Sequence, residues 1–260
     1  MKTFTCLCLA LVLAMVAGTA NAALVAHYTF DEGSGPTAYD SAGTNDGTLH
    51  GSTWTTGING GALSLGGVGA NDYVSVPDNS SLRFSQSSSF SIAFWARPTS
   101  NGQVMGKMRT SGTGVFGYEV WWSNPLKEFQ FVCESSGVAN YGIGTGTNST
   151  AIGNWYHVAA VYDNKDMKIY LNGTLVNGAT FAYNTGSTTP NDTLAIGARV
   201  HDGSPEAGWY FGGKMDDVRI YNEALSGDAI AHIYQTTPEP ATMAFFGLGG
   251  LLLRKRRAGY

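Results

Sequence analysis

Apolar and polar residues alternate with a period of two through most of the chain. The clearest runs are 24–30 (LVAHYTF), 73–77 (YVSVP), 90–98 (FSIAFWARP), 117–122 (GYEVWW) and 129–133 (FQFVC). They continue at 155–163 (WYHVAAVYD), 167–173 (MKIYLNG), 174–177 (TLVN) and 193–198 (TLAIGA). Successive side chains of a strand point to opposite faces, so each run predicts a β-strand with one apolar face. Phe90, Ile92 and Phe94 form such a face against Ser91, Ala93 and Trp95. Tyr118, Val120 and Trp122 read as core-facing, which turns Glu119 and Trp121 outward. Asn172-Gly173 predicts a two-residue hairpin, since that turn needs positive φ at both positions. One stretch has helical spacing: Ser226 can cap it, and Ile230, Ile233 and Tyr234 share a face. No internal repeat is visible. The pattern predicts an all-β sandwich or barrel closed by one short C-terminal helix.

The two ends follow different rules. Lys2, an apolar stretch from Cys6 to Val16, and the small-x-small sequence Ala20-Asn21-Ala22 read as a secretory signal peptide over residues 1–22. At the other end, Pro238-Glu239-Pro240 precedes 13 mostly apolar residues, Ala241 to Leu253, and then Arg254-Lys255-Arg256-Arg257. A helix needs about 20 residues to span a bilayer, so this run is short for a resident anchor. Three glycines weaken it further as a helix. The pattern of motif, apolar run and basic stop resembles the PEP-CTERM sorting signal of Gram-negative bacteria. That resemblance implies transient inner-membrane contact, handling by an exosortase, and release or attachment at the cell surface.

Charge and cysteine content narrow what lies between. Residues 23–237 hold 10 basic against 18 acidic residues, a formal −8 that the basic tail conceals in the whole-chain value of −4. Without a basic face the domain is a poor nucleic-acid binder. Cys6 and Cys8 leave with the signal peptide, so Cys133 cannot form an internal disulfide. In FQFVCE it reads as a small buried apolar residue. The domain must hold together by packing, with or without a metal.

Four stretches in order carry a second resemblance: HYTFDEGSGPTAYDSAGTNDGTL; GGALSLGGVGANDYVSVPDNSSL with FSIAFWARP; WYHVAAVYDNKDMKIYLNGTLV; and GKMDDVRIYNEALS. Together they resemble a laminin-G-like domain of the concanavalin A-like lectin/glucanase superfamily, covering nearly all of 24–235. The resemblance implies an antiparallel two-sheet jelly-roll sandwich over 23–235, with the sorting signal at 236–260. It also implies a structural calcium, for which Asp31, Asp40 and Asp216 are the expected carboxylate ligands. Alternation puts Asp216 on a face with Val218 and Ile220, where an aspartate must be hydrogen-bonded, paired or metal-bound. The competing reading makes Asp31 and Asp40 turn-formers that bond their own backbone and pairs Asp216 with an arginine. Asp72, Asp78 and Asp163 read as plain turn residues.

No run of the Glu-x-Asp-x-x-Glu type found in related glucanases is present, nor a Gly-x-Ser-x-Gly elbow or a His-Glu-x-x-His helix. His157 reads as packed within a strand. A non-catalytic binding module is therefore expected, and a glycoside hydrolase less so. For a glycan or surface polysaccharide, Trp121, Glu119 and Trp209 are the candidate contacts, since aromatic rings stack on sugars and polar neighbours take the hydroxyls. The alternatives are a protein-binding adhesion domain or a structural surface protein, with the large aromatics merely covering the sandwich edges.

Overall fold

A computed structural model describes residues 23–85, 87–111, 114–134, 141–181, 191–201 and 203–237. The predicted signal peptide and the sorting motif Pro238-Glu239-Pro240 with its tail lie outside the described residues. In chain order the strands are β1 (Leu24–Tyr28), β2 (Thr37–Ala38), β3 (Gly47–His50), β4 (Thr53–Thr56), β5 (Gly61–Gly66) and β6 (Tyr73–Val76). There follow β7 (Ser89–Ser100), β8 (Gly102–Ser111), β9 (Gly114–Ser123), β10 (Glu128–Glu134), β11 (Tyr141–Gly144) and β12 (Tyr156–Asp163). The last are β13 (Asp166–Leu171), β14 (Thr174–Thr180), β15 (Leu194–Ile196), β16 (Val200–His201), β17 (Ser204–Pro205) and β18 (Gly212–Tyr221), before helix α1 (Gly227–Thr236).

Two eight-stranded antiparallel sheets pack face to face as a jelly roll. The first runs β14-β13-β12-β7-β18-β5-β4, with β1 also on β18; the second runs β11-β10-β9-β8-β15-β6-β3-β2. Their inner faces are the predicted apolar ones. Phe90, Ile92 and Phe94 from the first sheet meet Tyr118, Val120, Trp122, Phe129 and Phe131 from the second in one core. Trp122 is fully buried and still keeps a partner, its Nε1 donating to Thr150 Oγ1 at 3.0 Å. Cys133 is buried in the same core and forms no disulfide among the described residues.

The hairpin forms as the sequence dictates, with Asn172 at φ 49° and Gly173 at 77°. Helix α1, capped by Ser226 Oγ accepting from Ala229 N, lies on the outer face of the first sheet. Ile230 and Ile233 pack there on Ala93, Ala159, Val161 and Tyr170, while the Tyr234 ring stacks 5.6 Å from Trp95. His157 is buried beside them, and burial pushes its pKa down to about 4, so it is neutral. The outer face of the second sheet carries no such helix among the described residues.

Strict alternation fails at one place on β18. Met215, Val218 and Ile220 all face the core, although 215 and 218 are three apart. A bulge between Asp216 and Arg219 absorbs the extra residue, and Asp217 takes φ 50°, which aspartate tolerates better than most residues. Asp216 therefore does not share the face of Val218 and Ile220, and among the described residues it pairs with no arginine. Its Oδ2 accepts from Ile58 N at 2.8 Å and Asn59 N at 3.1 Å, in the turn between β4 and β5. Only glycine fits at 57, where a Cβ would come within 2.3 Å of Asp216 Oδ2. Asp217 accepts from His27 Nε2 at 2.7 Å, Arg219 Nε at 2.9 Å and Thr237 Oγ1 at 3.2 Å.

Two other aspartates differ in role. Asp78, expected as a turn residue, takes an ion pair from the fully buried Lys107 at 2.7 Å and another from Arg83. The Arg83 and Lys107 contacts hold its carboxyl down at about 2. Asp72 accepts from Gly66 N at 2.9 Å, as a turn residue does.

Asp216 is 1% exposed, and its Oδ1 has no hydrogen-bond partner among the described residues. Burial pushes its carboxyl up to about 7, against the pull of the two N–H groups. Protonation thus favours the folded state, and that stability is lost as pH rises through about 7. In EDTA, the wild-type protein should lose on the order of a few kcal/mol between pH 5 and pH 8 from this group. Asp216→Asn keeps an acceptor for Ile58 and Asn59 and cannot ionise. Thermal melts should show the variant gaining on the wild type as pH rises across that window. An equal difference between the two proteins at pH 5 and pH 8 would contradict the assignment.

Candidate functional site

The outer face of the second sheet is set by register. Trp121 on β9 sits opposite Gln103 on β8 and Gln130 on β10, and Glu119 sits opposite Gly106 and Val132. On the next strand Gly144 faces Gln130, and Gly142 faces Val132. The period of two that sends Val120 and Trp122 into the core sends Glu119 and Trp121 to this face. Arg199, after β15, and Trp209, before β18, come down onto it from the chain that crosses above β8. Trp209 is fixed there by its carbonyl, which accepts from Gln103 N at 3.3 Å.

These residues line a cavity of about 350 Å³, formed by Glu119, Trp121, Gln130, Gly144, Arg199 and Trp209 with Val132, Gly142 and Ile143. That volume suits a small ligand. The two indoles meet edge to face, 6.3 Å apart and at 77°. The Arg199 guanidinium lies 4.9 Å from the Trp209 ring. Its Nη2 donates to Glu119 Oε1 at 3.1 Å, and its Nε lies 3.9 Å from Glu206. With its side-chain amide turned over, the orientation that satisfies both of its ends, Gln103 donates to Glu119 Oε2 at 2.6 Å and accepts from Gly106 N at 3.2 Å. Glu119 is 4% exposed, so both its oxygens are held below the surface. The floor is bare of side chains at Gly142 and Gly144. At Gly144 a Cβ would lie 2.9 Å from the Glu128 carboxylate.

The arrangement offers two fixed aromatic surfaces at a corner, a polar floor, and side-chain amide and guanidinium groups around it. A sugar ring can stack on indole while amides meet its hydroxyls.

Trp121, Glu119 and Trp209, expected from the sequence as ligand contacts, thus line one cavity. Arg199, Gln130 and the two glycines were not anticipated. Arg199 is 80 residues from Glu119, and nothing local links them. Gln130 was legible in principle, as the polar position of the alternating run FQFVC.

The expected calcium ligands are only partly brought together. Asp31 Oδ1 accepts from Gly61 N at 2.7 Å, so Asp31 and Asp216 flank the same β4–β5 turn. Asp40 is elsewhere. Its oxygens accept from His27 N, Ala42 N, Asn45 N and Asn45 Nδ2 at 2.9–3.0 Å, and these contacts outweigh burial and hold its carboxyl below the usual range. Four donors thus meet its two oxygens, as they do in a turn-former. Among the described residues, no three His, Cys, Asp or Glu side chains gather as a metal-binding group.

Comparison with known proteins supports the fold. The structure superposes on the binding domain of Paraclostridial Mosquitocidal Protein 1 with a TM-score of 0.64 and 17% identity, covering 82% of this chain and 52% of that one. Domain 4 of AbnA, a GH43 extracellular arabinanase from Geobacillus stearothermophilus solved with arabinotriose, matches with a TM-score of 0.59 and 24% identity over 82% of this chain and 98% of that one. The binding domain of Botulinum neurotoxin DC, solved with SialylT, gives 0.63 and 16% over 83% and 52%. The chain thus spans about half the length of the toxin domains it matches. No curated protein matches it. A profile of the PEP-CTERM protein-sorting motif matches residues 236–257. A Laminin_G_3 profile matches residues 68–231, and the chain belongs to the concanavalin A-like lectin/glucanases superfamily.

Proposed function

We propose that this protein is a non-catalytic carbohydrate-binding module that works at the cell surface or in the extracellular matrix. The Trp121–Trp209 corner over a glycine floor carries the reading, because it has the shape and chemistry of a sugar-stacking site. It is also the cavity the sequence reading pointed to from three separate residues. The arabinotriose of one structural neighbour and the SialylT of another are consistent with it. The sorting motif supports a surface destination, with an exosortase as the processing partner. Mass spectrometry of the protein from its producing cell should find most molecules ending near Pro240. Intact Tyr260 on most of them would contradict this.

The site is tested by one substitution and its neighbour. Trp121 is partly exposed, so Trp121→Ala should weaken glycan binding more than tenfold and leave the melting temperature nearly unchanged. Trp122 is fully buried in the core, so Trp122→Ala should cost about 3–5 kcal/mol of stability. Isothermal titration and thermal melts on the two variants separate these effects. Unchanged glycan binding in Trp121→Ala would remove the site.

We also propose that calcium, where held, is held at the β4–β5 turn by Asp31 and Asp216. The support is the buried Asp216 Oδ1, which lacks a partner, beside a second carboxylate on the same turn. A bound cation would replace the proton, so millimolar calcium at pH 8 should restore the melting temperature that EDTA lowers. Asp216→Asn should not respond. Identical wild-type melts in calcium and EDTA at pH 8 would leave Asp216 as a buried carboxyl that holds no calcium.

A further inference from the structure

Resting on the carbohydrate reading of the same cavity, we infer that its ligand is an uncharged saccharide, and that glycans bearing uronic or sialic acids are disfavoured. The inference comes from what surrounds the one cation. Arg199 is the guanidinium in the cavity wall, and it is already committed. It pairs with Glu119 at 3.1 Å, approaches Glu206 at 3.9 Å and covers a face of Trp209. Turning it toward a ligand carboxylate would strand Glu119, which is 4% exposed, as a buried charge without its counter-ion. A third carboxylate, Glu128, lies on the same face beside Gly144, with Gln130 Nε2 donating to it at 2.5 Å.

Among the described residues, a ligand in this cavity therefore sees the carboxylates of Glu119, Glu206 and Glu128 against the Arg199 guanidinium, at a range where charges act at physiological ionic strength, roughly 8 Å. An incoming carboxylate meets like charge and finds no uncommitted partner among these groups. Hydroxyl and acetamido groups suffer neither penalty. They can use the Gln130 amide and the bare backbone at Gly142 and Gly144, and the indoles take the apolar face of a sugar ring. The formal −8 of residues 23–237 adds a long-range field of the same sign.

The test is a glycan array probed with the full-length protein at about 0.15 M salt, on which each sialylated or uronate-bearing glycan has its neutral parent beside it. Wild type, Trp121→Ala, Glu119→Gln and Glu206→Gln are compared. The expected result is binding at least tenfold stronger to neutral members, lost in Trp121→Ala. Acidic members should gain severalfold in Glu119→Gln, which frees the guanidinium. Glu206→Gln should move the same way, and since Glu206 is more exposed it serves as the readout where Glu119→Gln fails to fold. Acidic glycans bound as well as or better than neutral ones, with that binding lost in Trp121→Ala, would overturn the charge preference and leave the cavity as the site. Binding that survives Trp121→Ala, or no binding to any glycan, would overturn the underlying reading itself.

Discussion

Strand β18 carries two adjacent buried carboxylates, and the way they are satisfied fixes how the ends of the chain close on the sandwich. A bulge turns the pair away from the core. Asp216 then fastens the β4–β5 turn through Ile58 and Asn59, and Asp217 fastens His27 of β1 and Thr237 after α1. The site is also where β18 changes partner, from β5 at Gly212–Met215 to β1 at Val218–Tyr221. Without a disulfide among the described residues, these few hydrogen bonds and the core beneath them do the work of a staple. For Asp217, the His27 and Arg219 contacts outweigh burial and keep the carboxyl ionised. For Asp216 burial wins. One residue step therefore separates a charged anchor from one that is neutral at low pH.

With α1 spent on the first sheet, the outer face of the second sheet is left to the crossing chain that brings Arg199 and Trp209. The cavity is rigid because its members hold each other. Glu119 orients Arg199, Arg199 lies on Trp209, and Trp209 meets Trp121. A preorganised site of this kind loses little entropy on binding. The same pairing removes the positive charge a ligand carboxylate would seek, so rigidity and charge preference come from one salt bridge.

Much of this was legible in the sequence. The two-residue period sorted Trp121 and Glu119 from Val120 and Trp122, the Asn172-Gly173 turn was readable from its dipeptide, and Ser226 announced the helix. Period-two reading failed at Asp216, because a bulge depends on hydrogen bonds from residues some 158 positions away. Arg199 stayed hidden for a similar reason, since its value lies in a partner on another strand. Asp40 and Asp31 look alike in sequence, each an aspartate in a turn near the first strand. Only the fold separates them, by surrounding Asp40 with four N–H donors and placing Asp31 on the β4–β5 turn that Asp216 also holds.

The binding account is tested most directly by watching the indole N–H resonances during titration with the tightest-binding oligosaccharide. Trp121 and Trp209 line the cavity, whereas Trp122 and Trp95 are buried in packed layers on either side of the sheets. The account predicts that the Trp121 and Trp209 signals shift together and saturate with the binding curve, while those of Trp122 and Trp95 stay in place. Saturable binding that leaves the Trp121 and Trp209 signals unmoved would contradict it.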